Sequence, residues 1–394
     1  MLDGLASSIE FQMSLLLFVA LAGYLLASKI NQSAVIGEII VGLIIGPSLL
    51  GLVTYTDFVR SIATLGAVVL LFVIGLEFKL KEIFNVKYGI IAFFGVVVPW
   101  ISGYYLANLF GYGFGSAVFI GTALTATSIA ITANVLREMG KLQTEAAKAI
   151  IGAAVIDDVL GLLALSMSQE IVTGTLSFMH LFLVIIKAIL FLAVGSYIGC
   201  TYLSRLTEKL DRTKIAHKYP EFVFIFAMMV AFFYAMVAEM IGLSAIVGSF
   251  IAGVSLESVV LMKSKSYKEG AEYLHIIFAS VFFISLGILA DFHAITAGVL
   301  WFLVVLTIVA VITKFIGCSI PAKLQGMSYK DSAIVGFGMV PRGEVAMIVA
   351  LIGLNSRLIG QEIYVSIILM SLLTTIITPI VLRNWFYKKG IVRM

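Results

Sequence analysis

The chain has 394 residues, of which 61% are hydrophobic and only 12% charged, and its mean hydropathy is +1.12. No water-soluble domain of this size keeps such a composition out of aggregates, so soluble enzymes and soluble binding modules are excluded. The formal net charge of +4 does not imply nucleic acid, because the basic residues flank apolar stretches, where membrane topology accounts for them.

A helix that crosses a membrane needs about 20 mostly apolar residues. Thirteen such stretches predict an all-α membrane protein with thirteen transmembrane helices. Span 1 (12–30) follows no basic region or cleavage signal and reads as a retained helix. Spans 2 (34–52) and 3 (61–77) carry Glu38 and Glu77 at one end, near Lys29 and Lys79, where interfacial charge balance is expected. Span 4 covers 88–110. Span 5 (116–136) contains Thr122-Ala123-Leu124-Thr125-Ala126-Thr127-Ser128, whose hydroxyls and β-branched residues weaken a helix and supply neutral oxygen ligands. Span 6 (146–168) holds the adjacent pair Asp157-Asp158 near its middle. Span 7 (178–203) carries Lys187, which snorkelling explains, and a polar segment from Arg205 to Glu221 divides the chain into halves. Spans 8 (222–241), 9 (243–262) and 10 (273–290) follow. Span 11 (297–321) contains Lys314, span 12 (332–354) is interrupted by Gly336-Phe337-Gly338-Met339-Val340-Pro341-Arg342-Gly343-Glu344, and span 13 covers 364–385.

The halves echo each other. Ala34-Val35-Ile36-Gly37, Ile40 and Gly42 recur 211 residues later as Ala245-Ile246-Val247-Gly248, Ile251 and Gly253. Spans 2 and 9 are an odd number of spans apart, so the repeats have inverted topology. The same offset carries Thr127 onto Gly338, placing the two irregular stretches at corresponding positions, as two broken, crossing helices.

Ionisable residues in the hydrocarbon core cost several kcal/mol and are functional candidates. Adjacent helical residues point about 100° apart, so Asp157 and Asp158 meet different partners: one is open to a cation while the other is neutralised. Lys314 is the candidate partner, with snorkelling to the interface as the alternative. Arg342 and Glu344, two residues apart in an unwound stretch, are expected to compensate each other's charge or the ends of half-helices. Cys200 and Cys318 read as small buried hydrophobes rather than a disulfide. No metal-protease, phosphate-loop or nucleophile-elbow motif occurs, and Gly-x-Gly-Asp, expected of an intramembrane aspartic protease, is missing, so no enzyme and no cofactor is expected.

Orientation follows from charge. With a cytoplasmic C-terminus, the inside loops and tail, together with the inner ends of spans 1, 6 and 13 (Lys29, Lys148 and Arg383), hold 21 of the 26 Lys and Arg, the outside loops only Arg60 and Arg357, and the span interiors Lys187, Lys314 and Arg342. The N-terminus is then outside.

Gly37-Glu38-Ile39, Gly46-Pro47-Ser48-Leu49-Leu50-Gly51, Leu71-Phe72-Val73-Ile74-Gly75-Leu76-Glu77, Asp157-Asp158 and Pro341-Arg342-Gly343-Glu344 together resemble the monovalent cation/proton antiporter family, in its bacterial and archaeal Na⁺/H⁺ branch with a double aspartate. The resemblance covers essentially the whole chain. It implies a homodimer in the cell membrane, with spans 1–3 and 8–10 (12–77 and 222–290) as a dimerisation scaffold, spans 4–6 and 11–13 (88–168 and 297–386) as a moving core, and 178–203 as a linker. It also implies that Asp158 binds Na⁺ or a proton, that Asp157 is bridged to Lys314, and that Thr127, with Ser128 beside it, lends oxygen ligands in the broken helix. The double aspartate implies electrogenic exchange. A K⁺/H⁺ antiporter and a Na⁺-coupled organic-anion symporter are the alternatives.

Overall fold

A computed structural model of the protein describes residues 8–83, 85–175, 177–261, 266–290, 292–293 and 297–387. The chain divides into two compact units, residues 1–56, 85–178 and 283–394 in one and residues 57–84 and 179–282 in the other.

The first unit contains α1 (Ile9–Lys29) and α2 (Ala34–Ile45). The second unit begins with α3 (Asp57–Gly75). The chain returns to the first unit with α4 (Val86–Leu109), α5 (Phe114–Ala123), α6 (Ile129–Glu138) and α7 (Glu145–Thr173). A 34-residue helix, α8 (Phe178–Asp211), then enters the second unit, joined there by α9 (Phe222–Met240), α10 (Ala245–Leu256) and most of α11 (Tyr267–Ile288). The first unit is completed by α12 (Ala297–Leu324), α13 (Tyr329–Gly338), α14 (Glu344–Asn355) and α15 (Gln361–Phe386).

Each of the thirteen predicted stretches falls on helix, yet among the described residues only nine helices are long and apolar enough to cross a membrane alone. Spans 2 and 9 are helices of 12 residues, about 18 Å each, well short of the roughly 30 Å hydrocarbon layer. Spans 5 and 12 are each two half-helices around a break at 124–128 and 339–343. Helix also persists beyond the predicted end of span 7, through Asp211, with π-helical turns at Phe191–Gly195 and Gly199–Leu203.

Helix pairs approach closely where glycine removes a side chain, as membrane helices do when apolar burial cannot separate them from lipid. In the first unit, a methyl on Gly317 of α12 would stand 2.7 Å from the Phe94 carbonyl of α4. In the second unit, Gly253 of α10 rests on the Phe72 carbonyl of α3, and Gly75 reciprocally on that of Phe250.

The helix boundaries sharpen the repeat. α2 and α10 have equal length and start 211 residues apart, as do α4 and α12. The breaks, however, are 215 residues apart, because α12 has 28 residues where α4 has 24, one extra helical turn. The counterpart of Thr127 is therefore Arg342, and the expected match to Gly338 is corrected.

Candidate functional site

The site grows out of α7. Its start is fixed by Thr144, whose hydroxyl accepts from the Ala147 N–H at 3.2 Å, and Gly174 in the left-handed region ends it. The helix runs for 29 residues, about 43 Å, and Asp157 and Asp158 stand at its midpoint. Asp157 is 2% exposed, whereas Asp158, turned by about 100°, is half-buried.

Lys314 on α12 is 0% exposed and stays in the interior. Its ammonium has three N–H donors, and three acceptors meet it: Gly95 O at 2.7 Å, Thr125 O at 2.7 Å and Asp157 Oδ1 at 2.9 Å. The last contact is an ion pair. The lysine is therefore both a counter-charge for Asp157 and a backbone partner for the first break, whose carbonyls have lost their helical donors.

Arg342, also fully buried, serves the next carbonyl. Its Nη1 donates to Ala126 O at 2.6 Å, and Nη2 donates to Ala310 O of α12 at 3.4 Å. Two successive carbonyls of the break at 124–128 thus receive hydrogen bonds from two buried cations.

The breaks also hold each other. Ser128 N–H donates to Pro341 O at 2.8 Å, Thr127 Oγ1 to Met339 O at 3.4 Å, and Thr132 Oγ1 to Gly338 O at 2.6 Å. Gly343 allows the approach, since a methyl there would stand 2.7 Å from both Cβ and Oγ of Ser128. From α15, Thr374 Oγ1 accepts from Arg342 N–H at 3.2 Å, Thr375 Oγ1 donates to Arg342 O at 3.0 Å, and Thr378 Oγ1 donates to Phe337 O at 3.2 Å. Unsatisfied backbone groups in hydrocarbon cost several kcal/mol each, so these bonds are a condition for having breaks at mid-span.

Six of the residues singled out from the sequence therefore gather in one place: Asp157, Thr127, Ser128, Lys314 and Arg342, with Asp158 on the adjoining face of α7. Glu344 opens α14 and is half-buried, a favourable place for a carboxylate at a helix N-terminus. Among the described residues, no group of three or more His, Cys, Asp and Glu is placed to hold a metal ion, and both cysteines are free. Glu38 is buried.

The sequence reading missed the threonines of α15. Ser371, Thr374, Thr375 and Thr378 recur at helical spacing on one face of an apolar span, a stripe that signals a polar partner. Most hydroxyls in the spans carry no such message: those of Ser166, Thr307 and Thr313 bond to the preceding turn.

Two interrupted helices that meet beside a buried Asp157–Lys314 ion pair and a buried arginine, within a bundle of apolar helices, define a polytopic membrane protein of the secondary-transporter type. The chain belongs to the sodium/hydrogen exchanger family, whose transmembrane model matches residues 15–388. It is 34% identical to the Na(+)/H(+)-K(+) antiporter GerN of Bacillus cereus over 381 residues, covering 96% of each chain, and 32% identical to a Na(+)/H(+) antiporter of Enterococcus hirae, covering 95% of this chain and 97% of that one. Its fold resembles that of the sodium proton antiporter MjNhaP1 of Methanocaldococcus jannaschii, with a TM-score of 0.72 at 16% identity and 96% of both chains covered.

Proposed function

We propose that the protein exchanges Na⁺ or Li⁺ for H⁺ across the cell membrane, by competition of cation and proton for Asp158. The observation that carries this reading is the division of labour at the centre of α7: Asp157 is bridged to Lys314, while Asp158 beside it is half-buried. A carboxylate at this depth is neutralised equally well by a proton or a small cation, so the two ligands compete. The neutralised site crosses an apolar barrier more readily than the charged one. Oxygen from Thr127 and Ser128 replaces part of the water shell of a hard cation.

The resemblance to antiporters supports the same reading, and so do the names of the relatives. The printed name of GerN includes K⁺, which keeps K⁺/H⁺ exchange as a second reading; a Na⁺-coupled organic-anion symporter ranks below it. Exchange is electrogenic, because Asp157 and Lys314 provide a second proton-exchanging pair. The protein works as a homodimer in the cell membrane with the N-terminus outside and the C-terminus in the cytoplasm, an orientation that the lysine and arginine distribution supports. Spans 4–6 and 11–13 move against the remaining bundle. No catalytic step and no cofactor enters this scheme.

The test is proton movement in proteoliposomes, followed with a pH dye after addition of Na⁺, Li⁺ or K⁺, with wild type beside Asp158→Asn. Cation-driven proton release in wild type and none in the variant is the expected result. Silence of the folded wild type with every monovalent cation across a broad pH range sinks the reading and promotes the symporter.

A further inference from the structure

Glycines in the first unit mostly mark places where another atom needs the room of a side chain. A methyl on Gly95 would stand 2.7 Å from Cys318 Sγ, one on Gly121 2.7 Å from Trp100 O, and one on Gly343 2.7 Å from the Ser128 side chain. Gly161 is different. It is buried in the middle of α7, yet no heavy atom of the surrounding described residues lies within 4 Å of the place where its Cβ would be. Close packing does not explain it. Neither does backbone conformation, since it lies inside a regular helix, where alanine is the better residue.

What Gly161 adjoins supplies the explanation. It follows Asp158 by three residues and Asp157 by four, which makes it a surface neighbour of each, between the two faces they occupy. A Cα–Cβ bond in a helix tilts toward the N-terminus, so a side chain at 161 would lie over the turn that carries the two carboxylates. Asp157 is engaged with Lys314. Asp158, the other neighbour of position 161, is half-buried although it stands at the helix midpoint.

We infer that Gly161 is a specificity-determining residue: by withholding a side chain it leaves the room beside Asp158 that a cation and its remaining water occupy, and so sets the largest cation the site accepts. This rests on the proposed function, of which it specifies the substrate range. A methyl group added there shortens the space by about the diameter of a carbon atom, which penalises K⁺ before Na⁺ and Na⁺ before Li⁺. A single methylene in a fitted pocket discriminates by about ten-fold or more.

The experiment compares Li⁺-, Na⁺- and K⁺-driven proton release in proteoliposomes for wild type, Gly161→Ala, Asp158→Asn and, as a matched control, Gly298→Ala, an exposed helical glycine that also faces open space. Gly161→Ala is expected to fold with an unchanged or higher melting temperature. Its apparent KM for the largest cation that wild type transports should rise about ten-fold relative to that for Li⁺, while Gly298→Ala keeps the wild-type ratio. The same KM ratio in Gly161→Ala and wild type overturns the inference. Exchange that survives in Asp158→Asn overturns the proposed function itself, so the two failures are told apart.

Discussion

The two breaks have the same length but are held in different ways. The first, 124–128, gives consecutive carbonyls to Lys314 and Arg342, so its backbone leans on charges that come from spans 11 and 12. The second, 339–343, gives its groups to neutral partners: the hydroxyl of Thr127, the amide of Ser128 and the threonines of α15. Charge at the centre of this protein therefore has two tasks. It balances Asp157, and it holds open the helix that carries Thr127 and Ser128, the proposed oxygen ligands. A proton that leaves Lys314 would alter both at once, whereas no backbone carbonyl of the second break accepts a hydrogen bond from Lys314 among the contacts described.

That contrast fails or sharpens under substitution. The largest functional effect is expected from Asp158→Asn, which should lower exchange at least about 100-fold, as loss of a group the reaction requires, with a melting temperature in detergent near that of wild type. The largest effect on stability is expected from Lys314→Ala. It strands a buried carboxylate and two carbonyls and should cost about 3–5 kcal/mol, read as a lower melting temperature. The double variant Lys314→Ala with Asp157→Ala should recover part of that loss, and equal melting of the single and double variants would refute the pairing argument.

On the neutral side, Thr375→Val removes one donor from the Arg342 carbonyl and should cost about 1–3 kcal/mol, with Thr375→Ser restoring it. A Thr375→Val loss as large as that of Lys314→Ala would erase the distinction between the breaks. The smallest effect on stability should come from Thr127→Val, because its contact with Met339 O is long, at 3.4 Å. Its consequence should show instead as a weaker apparent affinity for Na⁺, measured as the KM for cation-driven proton release.

The positions of the breaks were legible in advance, since threonine clusters and Gly-Pro interruptions in apolar runs are local features. The exact correspondence between the halves was not. An extra turn in α12 shifts the register by four residues without disturbing its hydropathy. The threonine stripe of α15 stood in the sequence unread, because a hydroxyl that bonds to its own preceding turn has the same spacing as one that reaches a neighbouring helix.

By itself the sequence determined a membrane-resident helical chain, the apolar stretches that become its helices, an aspartate pair in the middle of one of them, and two segments unable to continue as helix. These follow from hydropathy and backbone preference, which act within a few turns. Only the tertiary structure decided that Lys314 takes Asp157 together with Gly95 O and Thr125 O, that Arg342 reaches Ala126 O, and that the breaks satisfy each other. Each of these contacts joins residues more than 150 positions apart, and buried polar groups in hydrocarbon must find such partners wherever the packing of helices brings them within reach.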